Sequence, residues 1–459
     1  MDGYCTSDGT PKATFKECKN VLAPTYVSYE DGKIMLMNTN DFRSLDYLTL
    51  KWELAEDYLP IRSGEMKLPP IAPYNSAELN IDTSVSEPVA GAEYFVNLRF
   101  YDEFGFEVAY KQVSLGIKKE KEEYVSVKAS VQIEETNSEI TLKNDAFTLK
   151  IASGLISYLQ KNNKVILSKP VKLNLYRAPI DNDGIVNFSE RWIKEWQEAL
   201  YRHFELMPLN ISTERQNDGS VSVSVVGKWT PPSAYEGFDI DIVYTVYGNG
   251  DIFVNIHGKP YGNFAKTVPR IGLVFTLDKA MSRALWYGRG EDECYVDSCE
   301  HCNFGLYEKN IEDMNFLYDI PQENGTRVDT RFVKVGNNKI SLSVIGSNSF
   351  AFSYHDFDLE NLISARHRNE LNKSDENYLY IDYAMRGLGS RSCGPDPEEC
   401  YELRAHEFRF AFLLSTCSKE GELLTQYRKR FSAKTEKLGE THIFAPQKDS
   451  INIVECNKD

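Results

Sequence analysis

The sequence predicts an all-β protein, in which a β-sandwich of immunoglobulin-like size is followed by a much larger β-sandwich of two sheets. The 459 residues include 27 Tyr and 24 Phe, residue types that favour the half-buried surface of a pleated sheet. Runs of alternating polar and apolar residues recur along most of the chain, as in SVSVSVV at 220–226 and ISLSVIG at 340–346. Strands and helices do not alternate as they would in a (β/α)8 barrel, which excludes that fold.

The first part of the chain divides into three stretches. Residues 1–25 show no sustained hydrophobic periodicity, so we expect an N-terminal segment that leads into the first domain. Residues 26–118 carry short alternating runs separated by turn signals, the pattern of an immunoglobulin-like sandwich. The run KKEKEEY at 118–124 is highly charged and is predicted to be a solvated linker.

The strand pattern then continues through residues 126–417, which is too long for a second immunoglobulin-like unit and predicts a large two-sheet sandwich. One helix is predicted at 189–204, with Ser189 as its cap and with Trp192 and Trp196 on a face that packs into the core. The remainder, 418–459, is predicted to be a helical or extended tail, with a helix at 420–431 for which Ser418 is the candidate cap.

The charge balance restricts the partners. A formal net charge of -16 would repel a nucleic acid or an anionic membrane, so a neutral ligand is expected. The start, MDGYCTSDGT, has neither a basic region nor an apolar stretch for export, which favours the cytoplasm. Nine cysteines, an odd number spread over a long chain, indicate free thiols in a reducing compartment.

The segment 175–184, LYRAPIDNDG, is the strongest local signal. Pro179 fixes its own φ, the side chains of the DND triplet can bond neighbouring backbone N–H groups, and Gly184 can take a positive φ. These properties predict a rigid corner after a strand. Three more segments combine turn glycines with aromatic and charged residues, and in a sandwich such loops gather at the ends of the sheets, where ligands bind: 285–298, 318–331 and 383–397.

No metal site is predicted. Cys294, Cys299 and Cys302, with His301 beside them, resemble the start of an iron–sulfur motif, but a fourth ligand at a useful spacing is missing, so ordinary thiols are expected. The dipeptide at 369–370, Asn-Glu, resembles an acid/base signature of some glycosidases but falls in a charged stretch that predicts a loop.

The corner is followed, in order, by PRIGLVF, WYGRGEDECY, QENGTRVDTR and RGLGSRSCGPD. Together these blocks resemble the C-terminal part of glycoside hydrolase family 2 β-galactosidases. The stretch GYCTSDGTPKATFKECKNV resembles the segment that leaves the catalytic barrel of that family. The resemblance implies an immunoglobulin-like domain followed by a galactose-mutarotase-like supersandwich.

The resemblance also implies roles. The two catalytic glutamates and the magnesium ligands of the family lie in the barrel, so no catalytic residue and no cofactor are expected in this chain. The loop 387–395 is expected to line the sugar pocket through Arg391, Ser392 and Cys393, and Cys393 stands where well-known members have tryptophan. The expected partners are a β-galactoside, a catalytic barrel in the same or a companion chain, and further copies in an oligomer.

A structural role is expected for Arg177, Asp181 and Asp183, which would anchor the supersandwich to the rest of the enzyme. Two alternatives stay open. One is a stand-alone aldose mutarotase using His301 with Glu300 or Glu293. The other is a carbohydrate-binding module without catalysis.

Overall fold

The computed structural model describes residues 3–125, 129–184, 191–392, 394–416 and 419–431. Strands dominate these residues, and they form two successive β-sandwiches, so the predicted all-β class is confirmed. None of the helices in the described ranges has the length and apolar character needed to cross a membrane.

The smaller sandwich consists of a three-stranded sheet, in the order β1-β2-β5, and a four-stranded sheet, in the order β4-β3-β6-β7. Its strands are β1 (Thr25–Glu30), β2 (Lys33–Asn38), β3 (Thr49–Glu56), β4 (Leu59–Lys67), β5 (Ser76–Leu79), β6 (Tyr94–Tyr101) and β7 (Glu107–Ser114). Leu36, Leu50 and Leu98 are completely buried between the two sheets. Alternating side chains therefore form one continuous core, as the sequence pattern predicts.

The larger sandwich has a five-stranded sheet, β13-β12-β11-β10-β9, and a twelve-stranded sheet. The path of the larger sheet is β14-β19-β24-β23-β25-β18-β17-β16-β15, and β22, β20 and β21 extend it from β23. The remaining strands are β8 (Glu122–Glu123), β9 (Gln132–Glu135), β10 (Glu139–Lys143), β11 (Phe147–Ala152), β12 (Leu155–Lys161), β13 (Lys164–Leu167), β14 (Lys172–Asn174), β15 (Glu205–Arg215), β16 (Val221–Thr230), β17 (Gly237–Val246), β18 (Ile252–Tyr261), β19 (Arg270–Asp278), β20 (Arg283–Gly290), β21 (Asn303–Asn310), β22 (Arg327–Gly336), β23 (Ser341–His355), β24 (Glu376–Met385), β25 (Phe408–Ser415) and β26 (Lys429–Arg430). Leu149 of one sheet and Ile242 and Phe352 of the other belong to one buried core.

The α-helices of the described residues are α1 (Ala13–Val21), α2 (Arg191–Glu198), α3 (Leu359–Ser364) and α4 (Glu420–Tyr427). Trp192 and Trp196 are completely buried, which confirms that their stripe belongs to the core. The prediction that this helix continues to residue 204 is wrong. Leu200 adopts a left-handed φ of 56°, which ends the helix before a short 3-10 turn, Tyr201–His203. Ser189 lies outside the described residues.

Three further expectations need correction. The N-terminal segment contains α1, whose 9 residues are too few to give the sustained hydrophobic periodicity by which a helix is predicted. The helix expected at 420–431 ends at Tyr427 because Lys429–Arg430 instead pairs in parallel with Glu122–Glu123. That pairing also means that the charged run at 118–124 is not only a solvated linker. Ser418 and residues 432–459 lie outside the described residues.

The cysteines follow the prediction in part. Cys5, Cys18, Cys294, Cys299 and Cys302 are free thiols. The prediction is wrong for the sixth described cysteine, at position 400, because it is disulfide-bonded.

A polar cluster joins the two sandwiches and α4. Arg331 of β22 makes two bonds to the carboxylate of Glu93, of 2.7 and 2.9 Å, and the hydroxyl groups of Tyr287 and Tyr427 donate to the same carboxylate at 3.2 and 3.1 Å. Arg428, which follows α4, pairs with Asp57 and Glu56 of the smaller sandwich. Side chains from three separate parts of the sequence thus hold the sandwiches together. We call this set of residues the domain joint.

Candidate functional site

The corner at 175–184 begins immediately after β14. Asp181–Asp183 forms a single 3-10 turn, and Gly184 ends it with a φ of 113°, which the missing Cβ permits. The carboxylate of Asp183 accepts a hydrogen bond of 3.0 Å from the backbone N–H of Ile180. The rigid corner predicted from the sequence is therefore present. It uses two of the expected features, a side chain of the DND triplet bonded to a backbone N–H and a glycine with a positive φ.

A cluster of buried salt bridges fixes the corner. Arg177 binds Asp183 through two hydrogen bonds of 2.7 and 3.2 Å, and both side chains are completely buried. Arg386, which follows β24, also contacts Asp183 at 3.3 Å and reaches Glu402 at 3.1 Å. Charges buried to this degree are tolerated only when they are paired in good geometry. The cluster therefore fixes the base of the loop that begins at Arg386.

Asn182 connects the corner to that loop directly. Its side-chain amide donates to the carbonyl oxygens of Leu388 and Gly389, at 3.2 and 2.6 Å. Its carbonyl oxygen accepts from the backbone N–H and the hydroxyl of Ser392, at 3.0 and 2.7 Å. One side chain thus binds three residues of the loop 386–396, hereafter the 386–396 loop.

Asp297 supports the same loop from another side. Its two carboxylate oxygens accept the backbone N–H groups of Leu388 and Gly389 at 3.0 and 2.7 Å. A Cβ on Gly387 would lie 2.8 Å from the Asp297 carboxyl carbon, so this close approach requires glycine. Since Asp297 belongs to the segment 285–298, two of the three glycine-bearing segments meet here, as predicted.

The predicted sugar-facing residues occupy the outer part of this loop. Ser392 is exposed, whereas Arg391 is half-buried and binds Asp396 at 3.1 Å. The Arg391 guanidinium also lies 5.5 Å from the ring centre of Trp192. Cys393 lies outside the described residues. The loop therefore presents a hydroxyl group on a firmly held backbone.

The third segment, 318–331, closes the cluster. Gln322 accepts a hydrogen bond of 3.1 Å from the backbone N–H of Asp181. Its neighbour Glu323 pairs with Arg270 at 3.2 Å, and Arg270 lies 3.2 Å from Asp382. Burial raises the pKa of the Asp382 carboxyl to about 7, although Arg270 opposes this shift. Four chain segments thus converge at one end of the large sandwich.

The N-terminal segment crosses the neighbouring loops. Ser7 bonds Asp319 through its N–H and its hydroxyl at 3.1 and 3.0 Å, and Asp8 pairs with Arg368 at 2.7 Å. Further along, Glu17 of α1 accepts the ring N–H of His301 at 2.6 Å. The N-terminal segment therefore contacts the segment 318–331, which belongs to this cluster of loops.

The residues proposed for a mutarotase do not form an open site. The His301 side chain is only 2% exposed, and its second ring nitrogen contacts the carbonyl oxygen of Glu293 at 3.0 Å. The Glu293 carboxylate is buried and accepts the N–H of Gly325 at 2.6 Å. A cavity of about 90 Å³ is lined by Glu293 but not by His301, and Glu300 is exposed. His301 therefore shares this cavity with neither Glu293 nor Glu300.

A larger groove of about 580 Å³ lies beside the corner, between α2 and α3. It is lined by Tyr176, Pro179, Trp196, Ile320 and Leu362, among others, and not by Asn182, Arg391 or Ser392. No group of three or more His, Cys, Asp or Glu side chains within the described ranges is arranged to hold a metal ion.

Comparison with known sequences gives consistent matches. The family described as Beta galactosidase small chain matches residues 141–414, and Beta-galactosidase, domain 4 matches residues 34–116. The Beta-galactosidase of Actinobacillus pleuropneumoniae is 29% identical over 429 residues, which cover 90% of this chain and 41% of that protein. The Beta-galactosidase of Kluyveromyces lactis is also 29% identical over 429 residues, with coverage of 90% and 39%. The chain thus spans about two fifths of the length of these relatives.

Among solved structures, the galactose 1-epimerase of Lactobacillus acidophilus NCFM is 11% identical, with a TM-score of 0.35, and the match covers 63% of this chain and 98% of that one.

Proposed function

Because the chain belongs to the β-galactosidase small-chain family, we propose that it is the C-terminal part of a β-galactosidase and that its 386–396 loop forms one wall of the galactoside pocket. The whole enzyme would hydrolyse terminal β-galactosides such as lactose. Its catalytic glutamates and its magnesium would lie in a barrel domain, either in the same polypeptide or in a companion chain. The cytoplasm is the compartment we propose.

The observation that carries this proposal is the way the 386–396 loop is held. Asn182 and Asp297 bind its backbone from two sides, and the buried pairs of Arg386 fix its base. A loop held this firmly keeps its shape before a ligand arrives, so less conformational entropy is lost on binding. Such support is typical of a binding wall and is not needed for a simple connection between strands.

The chemistry of the loop suits a neutral sugar. Ser392 is exposed, and its hydroxyl donates to Asn182, which leaves its oxygen lone pairs as acceptors for a sugar hydroxyl. An anionic ligand would be disfavoured by the net charge of -16. The residues of this chain would thus position the sugar and exclude water, while the barrel supplies the groups that break the glycosidic bond.

Hydrolysis of a nitrophenyl β-galactoside tests the proposal. The isolated chain is expected to show no turnover, and addition of the barrel-bearing polypeptide from the same organism should restore it. In the assembled enzyme, Asn182→Ala is expected to lower kcat/KM about tenfold, a loss of about 1.4 kcal/mol of transition-state stabilisation. Asn210→Ala, on the exposed part of β15, is the matched control and should leave it unchanged. Hydrolysis by the isolated chain would contradict the proposal.

A further inference from the structure

The groove between α2 and α3 takes no part in the proposed function. Its volume of about 580 Å³ lies within the range of roughly 300–1,000 Å³ that is typical of small-molecule sites. Its walls come from the corner, from α2 and the 3-10 turn that follows it, from residues 320–321, and from α3 with the two residues after it. We call it the α2–α3 groove.

Apolar side chains form most of the groove. Ile193 and Trp196 line it from the same face of α2, because they are three residues apart on that helix, and Ile363 lines it from α3. Ile193, Ile363, Leu200 and Ile320 are half-buried, so each keeps apolar surface in contact with water. A ligand with an apolar body would remove this surface from water, which is favourable.

One wall is held in an unusual backbone conformation. Leu200, which lines the groove just after α2, has a φ of 56° in the left-handed region. A leucine adopts this conformation only when its surroundings impose it, and such strained residues cluster at ligand sites. The strain places an aliphatic side chain at the groove where a glycine would turn the chain more easily.

The second wall is fixed by hydrogen bonds. Asp358 caps α3 by accepting the N–H of Asn361 at 2.6 Å, and the Asn361 side chain donates to the carbonyl oxygen of Glu370 at 3.1 Å. The Nε of Arg202, in the turn after α2, donates to Glu360 of α3 at 3.0 Å and so links the two walls. Because both walls are held without a ligand, little conformational entropy is lost on binding.

The charge of the groove is opposite to that of the whole chain. The chain has 68 acidic residues against 52 Lys and Arg, yet Arg202, His203 and Arg366 line the groove and no Asp or Glu does so in the part of the chain that the structure describes. Glu360 neutralises Arg202. The Arg366 guanidinium is exposed, and no carboxylate of the described residues forms a salt bridge with it, although its backbone N–H binds Glu370 at 2.9 Å. A guanidinium of this kind suits a ligand carboxylate.

We propose that the α2–α3 groove binds a small organic acid. The apolar body of the acid lies against Ile193, Leu200 and Ile363, and its carboxylate pairs with Arg366. A sugar fits this groove less well, because its hydroxyl groups would face apolar walls that offer them no hydrogen-bond partners. The site does not involve the 386–396 loop, since Asn182 and Ser392 do not line the groove.

Calorimetry on the full chain tests the proposal with two probes that share one body, 4-phenylbutyrate and 4-phenylbutanol. The acid should bind with one site per chain and about tenfold more tightly than the alcohol, because only the acid can pair with Arg366. Equal affinities for the two probes, or no binding of the acid at concentrations up to about 10 mM, would overturn the proposal. The measurement needs no galactoside turnover, so its failure would leave the proposed function unaffected.

Two variants separate the charge from the apolar wall. Arg366→Gln should weaken the binding of the acid about tenfold and leave the binding of the alcohol unchanged, whereas Ile363→Ser should weaken both. Arg283→Gln, in an exposed pair with Glu308 elsewhere on the surface, is the matched control and should change neither. Circular dichroism first establishes that each variant folds. An unchanged affinity of Arg366→Gln for the acid would contradict the assignment.

A crystal structure with 4-(4-bromophenyl)butyrate locates the site. The anomalous signal of bromine should lie between α2 and α3, near Ile193 and Ile363, with the carboxylate at Arg366. A bromine position outside the α2–α3 groove would overturn the proposal even if the affinities agreed with it.

Discussion

At the scale of single residues, the corner could be predicted only in part. Pro179, the DND triplet and Gly184 specify a turn through their own backbone preferences, and the turn is present. Arg386 lies about 200 residues beyond Asp183, so no local pattern could indicate that it shares this carboxylate. Asn182 lies within the DND triplet, but its side chain forms its hydrogen bonds with the 386–396 loop, about 200 residues further along the chain. Local chemistry is readable from the sequence, but long-range pairing is not.

The ion cluster leads to a stability prediction. Asp183→Asn removes the charge that two buried guanidinium groups share, those of Arg177 and Arg386. We expect a loss of about 3–5 kcal/mol in the free energy of unfolding, because an uncompensated charge stays buried. Urea unfolding followed by circular dichroism measures it. Glu78→Gln, in the exposed pair with Lys33, is the control and should cost about 1 kcal/mol or less.

At the scale of elements, the sequence pattern located α2 and α4 but not their ends, and it gave no prediction of α1 or α3. The tryptophan stripe predicts α2, whereas its end depends on the left-handed Leu200, a conformation that a leucine adopts only when its surroundings impose it. In the same way, α4 stops because the following residues pair with β8. A helix end set by tertiary contacts leaves no signal in the helix itself.

The contact between Glu17 of helix α1 and His301 should stabilise the docking of this helix in a pH-dependent manner. Burial would lower the pKa of His301, but its contact with Glu17 raises it above 6.5. Burial would raise the pKa of Glu17, but hydrogen bonds from His301 lower it below 4.5. The contact therefore stabilises the docked helix once the pH exceeds about 4.5, and this stabilisation is lost as the pH rises through the raised pKa of His301.

Hydrogen exchange of α1 measures this effect. After correction for intrinsic exchange rates, amide protection in α1 is expected to be about three- to tenfold higher at pH 6 than at pH 9. Glu17→Gln should remove the difference, while the exchange of β17, far from the pair, serves as the internal reference. Unchanged pH dependence in Glu17→Gln would show that another group controls the docking.

At the scale of the whole molecule, the alternation of polar and apolar residues predicts the two sandwiches. It does not predict the side-chain contacts that join them. The domain joint combines Glu93, Arg331 and Tyr427, which lie more than 300 residues apart at the extremes. Lys121, in the run predicted to be a solvated linker, stacks 4.1 Å from the ring centre of Tyr427, and desolvation lowers its pKa to about 8. Helix α4 thus connects the first domain to the second, and the two domains should unfold together.

This coupling gives the final prediction. Glu93→Gln removes the charge that binds Arg331 and weakens the bonds from Tyr287 and Tyr427, so it acts on the joint and not on either core. Calorimetry should show one transition for the unchanged chain and two for the variant, with the smaller sandwich unfolding first because it has the smaller core. Glu103→Gln, in the exposed pair with Arg43, is the control and should retain a single transition. A single transition in Glu93→Gln at an unchanged temperature would mean that apolar packing alone couples the two sandwiches.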